Sequence, residues 1–463
     1  YYIDRVKRRD WWYWNNPSNT VAVGNGCGGI VAIALRHCTP SSAEAVDLGV
    51  DAIMERYRGI AEDGGCVEGN LYWDYGFTYQ LMFGVALENA TGDDRGLLSQ
   101  PRYEKTPDFV KTQLGGAGRM LVFNDTQPWL TGVGVSALFG GRLDDDLLRW
   151  FADETVAAAA NQTTRVFTRP QFYSLAFRVR DAKPAPAQFP GVPTVAYLPT
   201  LNWGVLRSDE QAWKQGLVVG VKGRDGATTH HAQEDLSGFT LDARGEALLI
   251  DPGYYQGNAD KHSLPLIDGA GPNRRGRALI EDATACQDWR TMTVDASDAY
   301  KDKAERMRRV LVMHKDEAVI VLDDIVPKAG GRITHHLQCG TPANIDQGDA
   351  SAAVVQGNQT WLTVRLFGPS VSLSCDGPLD FDRSWVYAEE ETTWYRLSGE
   401  YTAEQGKPLV TVLLPHNKDT AAPEVTCEYK SKEIRVKLPG GETVVFAETA
   451  TGWKSAAPNE QER

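Results

Sequence analysis

Hydrophobic and polar positions change their period once along this chain. Up to about residue 183, apolar side chains recur at three- and four-residue spacing over Gly29–His37, Ala43–Tyr57, Leu71–Asn89, Asp108–Leu121 and Asp144–Ala160, with Gly, Pro and Asp between them. That spacing predicts helices that bury one stripe each. After the stretch Pro184-Ala-Pro-Ala-Gln-Phe-Pro190-Gly-Val-Pro193, apolar positions gather instead in short β-branched runs: Gly216–Val221, Ala247–Ile250, Arg309–Met313, Ala318–Leu322, Trp361–Leu366, Leu409–Leu414, Glu433–Lys437 and Thr443–Ala447. Turn signals such as Pro439-Gly-Gly441 separate them. Regularly spaced short strands of this kind predict an antiparallel β-sandwich.

The expected organisation is α+β and multidomain, with a helical domain over 1–183, a Pro-rich linker over 184–195 and a sandwich over 196–463. Consecutive helix pairs are what an α/α toroid shows. The helices read here are too few to close such a ring, so the toroid is expected to be open, or to have its first half outside this chain.

Composition narrows the function classes. Of 463 residues, 42% are apolar and 10% aromatic, enough to bury a large core and to exclude global disorder. Lys and Arg number 48 against 61 Asp and Glu, a net charge of −13. Such a surface repels phosphate backbones, which excludes a general nucleic-acid binder; an anionic ligand needs a local basic site. No apolar run reaches the roughly 18 residues of a membrane span. Tyr1-Tyr2-Ile3-Asp4 lacks an initiator Met and the apolar region of a signal peptide, so the chain is expected to be a processed or truncated product. Seven scattered Cys without a CxxC pair argue against a disulfide framework or a Cys-rich zinc site. Sequons occur at Asn89, Asn124, Asn161 and Asn358, as many as chance supplies.

Three segments carry candidate chemistry. In Trp11-Trp12-Tyr13-Trp14-Asn15-Asn16-Pro17, flat rings suit the C–H faces of sugars and the amides suit their oxygens, with Trp12 and Trp14 as stacking residues; a core layer with Asn caps is the alternative. In Glu62-Asp63-Gly-Gly-Cys-Val-Glu68-Gly-Asn-Leu-Tyr72-Trp-Asp-Tyr75, acidic residues and glycines lead into a helix. Tyr72 and Tyr75 fall three apart on one face of its first turns, near a helix N-terminus that favours anions. Asp63 and Glu68 also make a paired-carboxylate reading, hence a glycoside hydrolase. The third segment holds His231, Gln233 and Asp235, then Asp251 and Tyr255, then His262. Residues two apart on a strand point the same way, so Gln233, Asp251 and His262 from neighbouring strands are candidate ligands of one divalent ion, with His231 left for substrate. Ordinary hydrogen bonding of these side chains is the alternative. The loop Gly271-Pro-Asn-Arg274-Arg275-Gly-Arg277 offers guanidinium groups to carboxylates or sulfates, or simply to solvent.

Taken together, these segments resemble the heparinase II/III-like polysaccharide lyases, α/α-toroid plus β-sandwich enzymes that cleave uronate-containing chains by β-elimination. Asp63-Gly-Gly-Cys-Val-Glu68-Gly-Asn-Leu-Tyr72 resembles the family's helix start, which implies that Tyr72 is the catalytic tyrosine. His231-Ala-Gln233-Glu-Asp235-Leu-Ser-Gly-Phe239, with the later Gly245 to Tyr254 stretch, resembles the β-domain signature, implying a catalytic or substrate-neutralising His231. Asp251 and His262 fall where that family places metal ligands, usually of zinc. Two positions depart: Gln233 stands where many members have His, and Pro17 follows Asn16 where many have Asn-His.

The implied mechanism has Asn16 and His231 bind the uronate carboxylate while Tyr72 removes the α-proton and passes it to the leaving oxygen, with His231 as a second base. Glu68, Tyr75, Tyr255, Arg274 and Arg275 complete the expected substrate contacts. One divalent ion, zinc ahead of manganese or calcium, is expected in a structural role. The substrate class is an anionic polysaccharide (heparan sulfate, chondroitin or hyaluronan, or alginate), which implies a secreted or periplasmic setting. Rival readings are a uronate C5 epimerase on the same scaffold, a hydrolase using Asp63 and Glu68, and a non-catalytic glycan-binding protein.

Overall fold

The computed structural model describes residues 2–9, 19–57, 61–160, 170–226, 231–254, 256–380, 393–404 and 406–456. Helices fill the first part: Tyr2–Arg8, Asn19–Ala34, Ser42–Tyr57, Asn70–Thr91, Thr106–Gln113, Val133–Arg142, Asp146–Ala160 and Pro170–Phe177. Antiparallel strands fill the rest from Val195 onward. By packing, the chain up to Val110, Asp125–Pro190 and the stretch ending at His231 form one compact unit; Lys111–Asn124, the chain from Gly191 to Thr228, and everything after Ala232 form the other.

In the helical unit, Asn19–Ala34 packs against both Ser42–Tyr57 and Asn70–Thr91. Its glycines are contact residues. A Cβ at Gly26 would lie 2.5 Å from the Tyr79 carbonyl oxygen, and one at Gly29 would lie 2.4 Å from the Phe83 ring. The helix therefore begins ten residues before the Gly29 start that periodicity predicts, because glycines that punctuate a sequence here admit a neighbouring helix. The predicted helix Asp108–Leu121 ends instead at Gln113, where Gly115, Gly116 and Gly118 (φ 68°) turn the chain and Leu114 bridges back to Met120. Val133–Arg142, buried over most of its length, carries too little polar contrast to register as amphipathic.

The second unit is layered. One nine-stranded sheet runs Val195–Leu198, Trp203–Arg207, Val218–Lys222, Phe239–Ala243, Glu246–Leu249, Arg332–Cys339, Thr393–Thr402, Ser372–Asp380, with Pro265–Ile267 also paired to Arg332–Cys339. The second runs Ala343–Ile345, Ala352–Gln356, Thr360–Phe367, Leu409–Asn417, Ala318–Pro327, Ala304–His314, Trp289–Asp295, Arg277–Cys286, Arg224–Asp225. Leu241, Leu249, Ile333 and Leu397 of the first meet Met292, Leu311, Val321 and Leu413 of the second in one core. A four-stranded sheet, Thr426–Lys430, Glu433–Lys437, Thr443–Thr449 and Gly452–Ser455, covers the other face of the second sheet through Ile434, Val436, Phe446 and Trp453 on Val310, Val312, Ile320 and Leu414. Strands Ala304–His314 and Ala318–Pro327 are thus covered on both faces, which is why they read as unbroken apolar runs instead of alternating. None of the seven cysteines is in a disulfide, and no helix among the described residues is long and apolar enough to cross a membrane.

Candidate active site

The helix Asn70–Thr91 starts on Gly69, whose φ of 99° and ψ of 173° suit only glycine. The Leu71 amide donates to Thr126 Oγ1 at 3.1 Å, and the Thr131 hydroxyl donates to the Asn70 carbonyl at 3.3 Å. Trp73 is fully buried against Phe109 and Phe77, and Gly132 (φ 91°) sits so close that a Cβ there would be 2.1 Å from the indole. With Trp73 locked inward, the roughly 100° turn per residue of a helix swings Tyr72 to the helix side, where it is half-buried. Tyr75 packs edge-on against Tyr79 with ring centres 5.3 Å apart; burial and the neighbouring phenol raise its pKa.

His231 completes this cluster. Its ring stacks on Tyr72, with centres 3.7 Å apart and planes 18° from parallel. His231 Nδ1 lies 2.9 Å from Asp125 Oδ2 and Nε2 lies 3.8 Å from Glu68 Oε1, while the Asp125 amide donates to the His231 carbonyl at 3.4 Å. A carboxylate accepts, so Nδ1 is the ring's donor to Asp125, and Nε2 is the nitrogen on the Glu68 side. Asp125, buried in a loop between elements, is the residue that sequence reading misses. It sits inside the Asn124-Asp-Thr126 sequon, and only its fold position marks it. Asn124 itself is 1% exposed and accepts from Lys222 at 3.1 Å, so that sequon is closed to a glycan.

Glu68 is 2% exposed, and its two oxygens accept from the Asn19 amide at 2.8 Å and the Asn19 side chain at 3.2 Å. It anchors the start of helix Asn19–Ala34. Asp63, also buried, accepts from the Gly65 amide at 3.3 Å within its own turn. Glu68 thus holds Asn19 while its Oε1 faces the His231 ring. Asn16, Trp12, Trp14 and Tyr255 lie outside the described residues.

The expected metal ligands belong to the strand unit. Asp251 Oδ2 lies 2.8 Å from His262 Nδ1, and Oδ1 accepts from the Gly253 amide at 2.9 Å. Gln233 Nε2 donates to the Gly253 carbonyl at 2.8 Å, which leaves the amide oxygen as its ligating atom. His262 is fully buried, and its Nε2 meets no hydrogen-bond partner among the described residues. An imidazole that gives Nδ1–H to a carboxylate and holds Nε2 in reserve is the arrangement of a metal-bound histidine, so the residues fit an ion with Asp251 orienting the ring instead of ligating. Nearby, Lys222 is buried 3.6 Å from Asp235 and 4.1 Å over the Trp203 ring. Burial drives its pKa down to about 7 against the opposing pull of Asp235. Arg274, Arg275 and Arg277 are exposed; Arg277 pairs with Asp225 at 2.6 Å.

No protein-family model matches the chain, and no curated protein does. Among solved structures it is similar to Heparinase III, with a TM-score of 0.67 and 14% identity over 92% of this chain and 67% of that one. It is likewise similar to heparan sulfate lyase HepC from Pedobacter heparinus, with a TM-score of 0.66 and 14% identity over 91% and 65%. The chain therefore spans about two thirds of the length of the structures it matches. A helical region followed by antiparallel sheets, superposable on these over nine tenths of its length, gives this chain a heparinase-like fold.

Proposed function

We propose that this chain is a polysaccharide lyase that cleaves a uronate-containing anionic polysaccharide, a glycosaminoglycan ahead of alginate, by β-elimination. The observation that carries the reading is the Tyr72–His231 stack, with Asp125 fixing the imidazole tautomer. A phenol and an imidazole side by side supply the two proton-transfer groups that elimination needs. One removes the proton α to the uronate carboxylate. The C–H electrons form the new C=C bond as the bond to the glycosidic oxygen breaks, and the leaving oxygen takes a proton back. Tyr72 leads as base and acid, with His231 Nε2 as the second base or the group facing the carboxylate. Asn16 joins His231 in binding that carboxylate, and Trp12, Trp14, Tyr75, Tyr255, Arg274 and Arg275 are the further substrate-binding residues of the proposal. Glu68 acts indirectly by holding Asn19, three residues after Asn16.

A divalent ion, zinc first, belongs to the reading, with His262 Nε2 and the Gln233 amide oxygen as ligands and Asp251 as orienting carboxylate. Its chemistry when bound is structural, tying together the strand-unit segments that carry Gln233 and His262. A secreted or periplasmic setting follows from the substrate class.

The test is a panel of uronate polysaccharides followed by the ultraviolet absorbance of an unsaturated uronate. Tyr72→Phe should lower turnover by about a thousandfold or more while circular dichroism and melting stay as in the parent. A Tyr72→Phe enzyme with parental rate sinks the assignment. Reducing ends without the absorbance would mean hydrolysis.

A further inference from the structure

We propose that His314, Glu317 and Glu442 form a divalent transition-metal site, separate from the residues discussed above, that clips the four-stranded sheet to the hairpin it covers. His314 ends strand Ala304–His314, Glu317 closes the turn into Ala318–Pro327, and Glu442 follows the turn between Glu433–Lys437 and Thr443–Thr449. One ligand atom from each lies within 4.8 Å of the others.

Two observations point to a cation there. The His314 side chain is 1% exposed, and its Nδ1 has no hydrogen-bond partner although it lies 3.3 Å from Glu317 Oε2. That separation is close to the edge of a tetrahedron built on metal–ligand bonds of about 2.0–2.1 Å. Glu442 Oε2 is also buried without a hydrogen-bond partner. It is folded back over its own turn, so near Gly440 that a Cβ there would be 2.4 Å away. A carboxylate on a turn ordinarily reaches for water, and one held dry without a donor is costly unless a cation answers it. Lys315 feels the charge of both glutamates but makes its contact with Asp288, at 3.3 Å. No Lys or Arg among the described residues is within ion-pair distance of either glutamate. Trp289 packs on the imidazole with centres 4.2 Å apart and planes tilted by 31°. One imidazole and two carboxylates with a water in the fourth place suit Zn²⁺ or Co²⁺ over Ca²⁺ or Mg²⁺, which favour all-oxygen shells.

The experiment strips the full chain with a chelator and titrates it with Zn²⁺ or Co²⁺ alone, following calorimetry, Co²⁺ visible absorption and melting temperature. The parent should take up an equivalent that gives the intense absorption of four-coordinate cobalt and raises the melting temperature. Glu317→Gln combined with Glu442→Gln should take up one equivalent fewer than the parent and lose the four-coordinate cobalt absorption with its share of the rise, while Asp251→Asn, at the other candidate ion, keeps that absorption. Glu317→Gln alone, on an exposed turn outside the core, should weaken uptake with no change in the metal-free melting curve. Parental cobalt spectra in the double variant, or no such spectrum in the parent, overturn the site. Because the readouts are binding and melting, the outcome is independent of the lyase reading.

Discussion

His231 turns Nδ1 to Asp125, and on the proposed reading that contact selects the tautomer and leaves Nε2 for proton transfer. The arrangement makes a residue-scale prediction. Asp125→Asn weakens the acceptor that selects the tautomer, so kcat should fall by about a hundredfold with little change in KM. The imidazole nitrogen resonances should report a mixed tautomer, and the pH–rate profile should change shape. An unchanged profile and an unchanged tautomer would reduce Asp125 to a packing residue. At the same scale Tyr72 was marked by its motif in the sequence, whereas Asp125 lies 106 residues from its partner in a segment with no periodicity.

At the scale of elements, the two large sheets hold a buried ionic cluster between them. Arg309, on strand Ala304–His314, pairs with Asp323 at 2.7 and 3.0 Å, and donates to Ser263 O at 3.2 Å and, closer still, to the Ser237 carbonyl. It also donates to Nε2 of His335, on the facing sheet, at 3.1 Å. Burial lowers the His335 pKa to about 4, with Asp323 opposing and Arg309 adding to the shift. Burial and Arg396 likewise lower His336 to about 4. Both rings are neutral in the fold and would bind a proton on unfolding near their ordinary value of 6.5. Their stabilising neutrality is intact above that value and is lost as pH falls from there towards 4. Urea unfolding should show stability dropping by about 2–3 kcal/mol per histidine across that window. His335→Gln, which keeps an acceptor for Arg309, should flatten the slope, and a slope unaltered by it would refute the assignment.

For the whole molecule, the proposed ion at His262 and Gln233 makes a stability prediction. In the Glu317→Gln, Glu442→Gln background, which leaves the His262–Gln233 ion to strip, chelation should lower the melting temperature at least as much as the rate, because the proposed role of that ion is to order segments instead of polarising substrate. Loss of rate at constant melting temperature would make it catalytic. The net charge of −13 belongs to the same scale: under the proposed lyase reading an acidic protein must meet its polyanion with local cations, and Arg274 and Arg275 are exposed.

Much was legible in the chain before any fold was known. Helix gave way to strand where the apolar period changed, since that period is a local property of neighbouring side chains. The start of helix Asn70–Thr91 was visible because Gly69 must adopt a conformation other residues avoid. Tertiary structure alone decided the rest. It turned the glycines of Asn19–Ala34 from breakers into contacts, stopped the predicted Asp108–Leu121 helix at Gln113, and committed Glu68 to Asn19. It packed His231 with the helices, onto Tyr72, and placed Asp125 on its ring. These outcomes depend on pairs of groups tens to hundreds of residues apart, and no local pattern encodes which distant partner will claim a donor, an acceptor or the space beside a glycine.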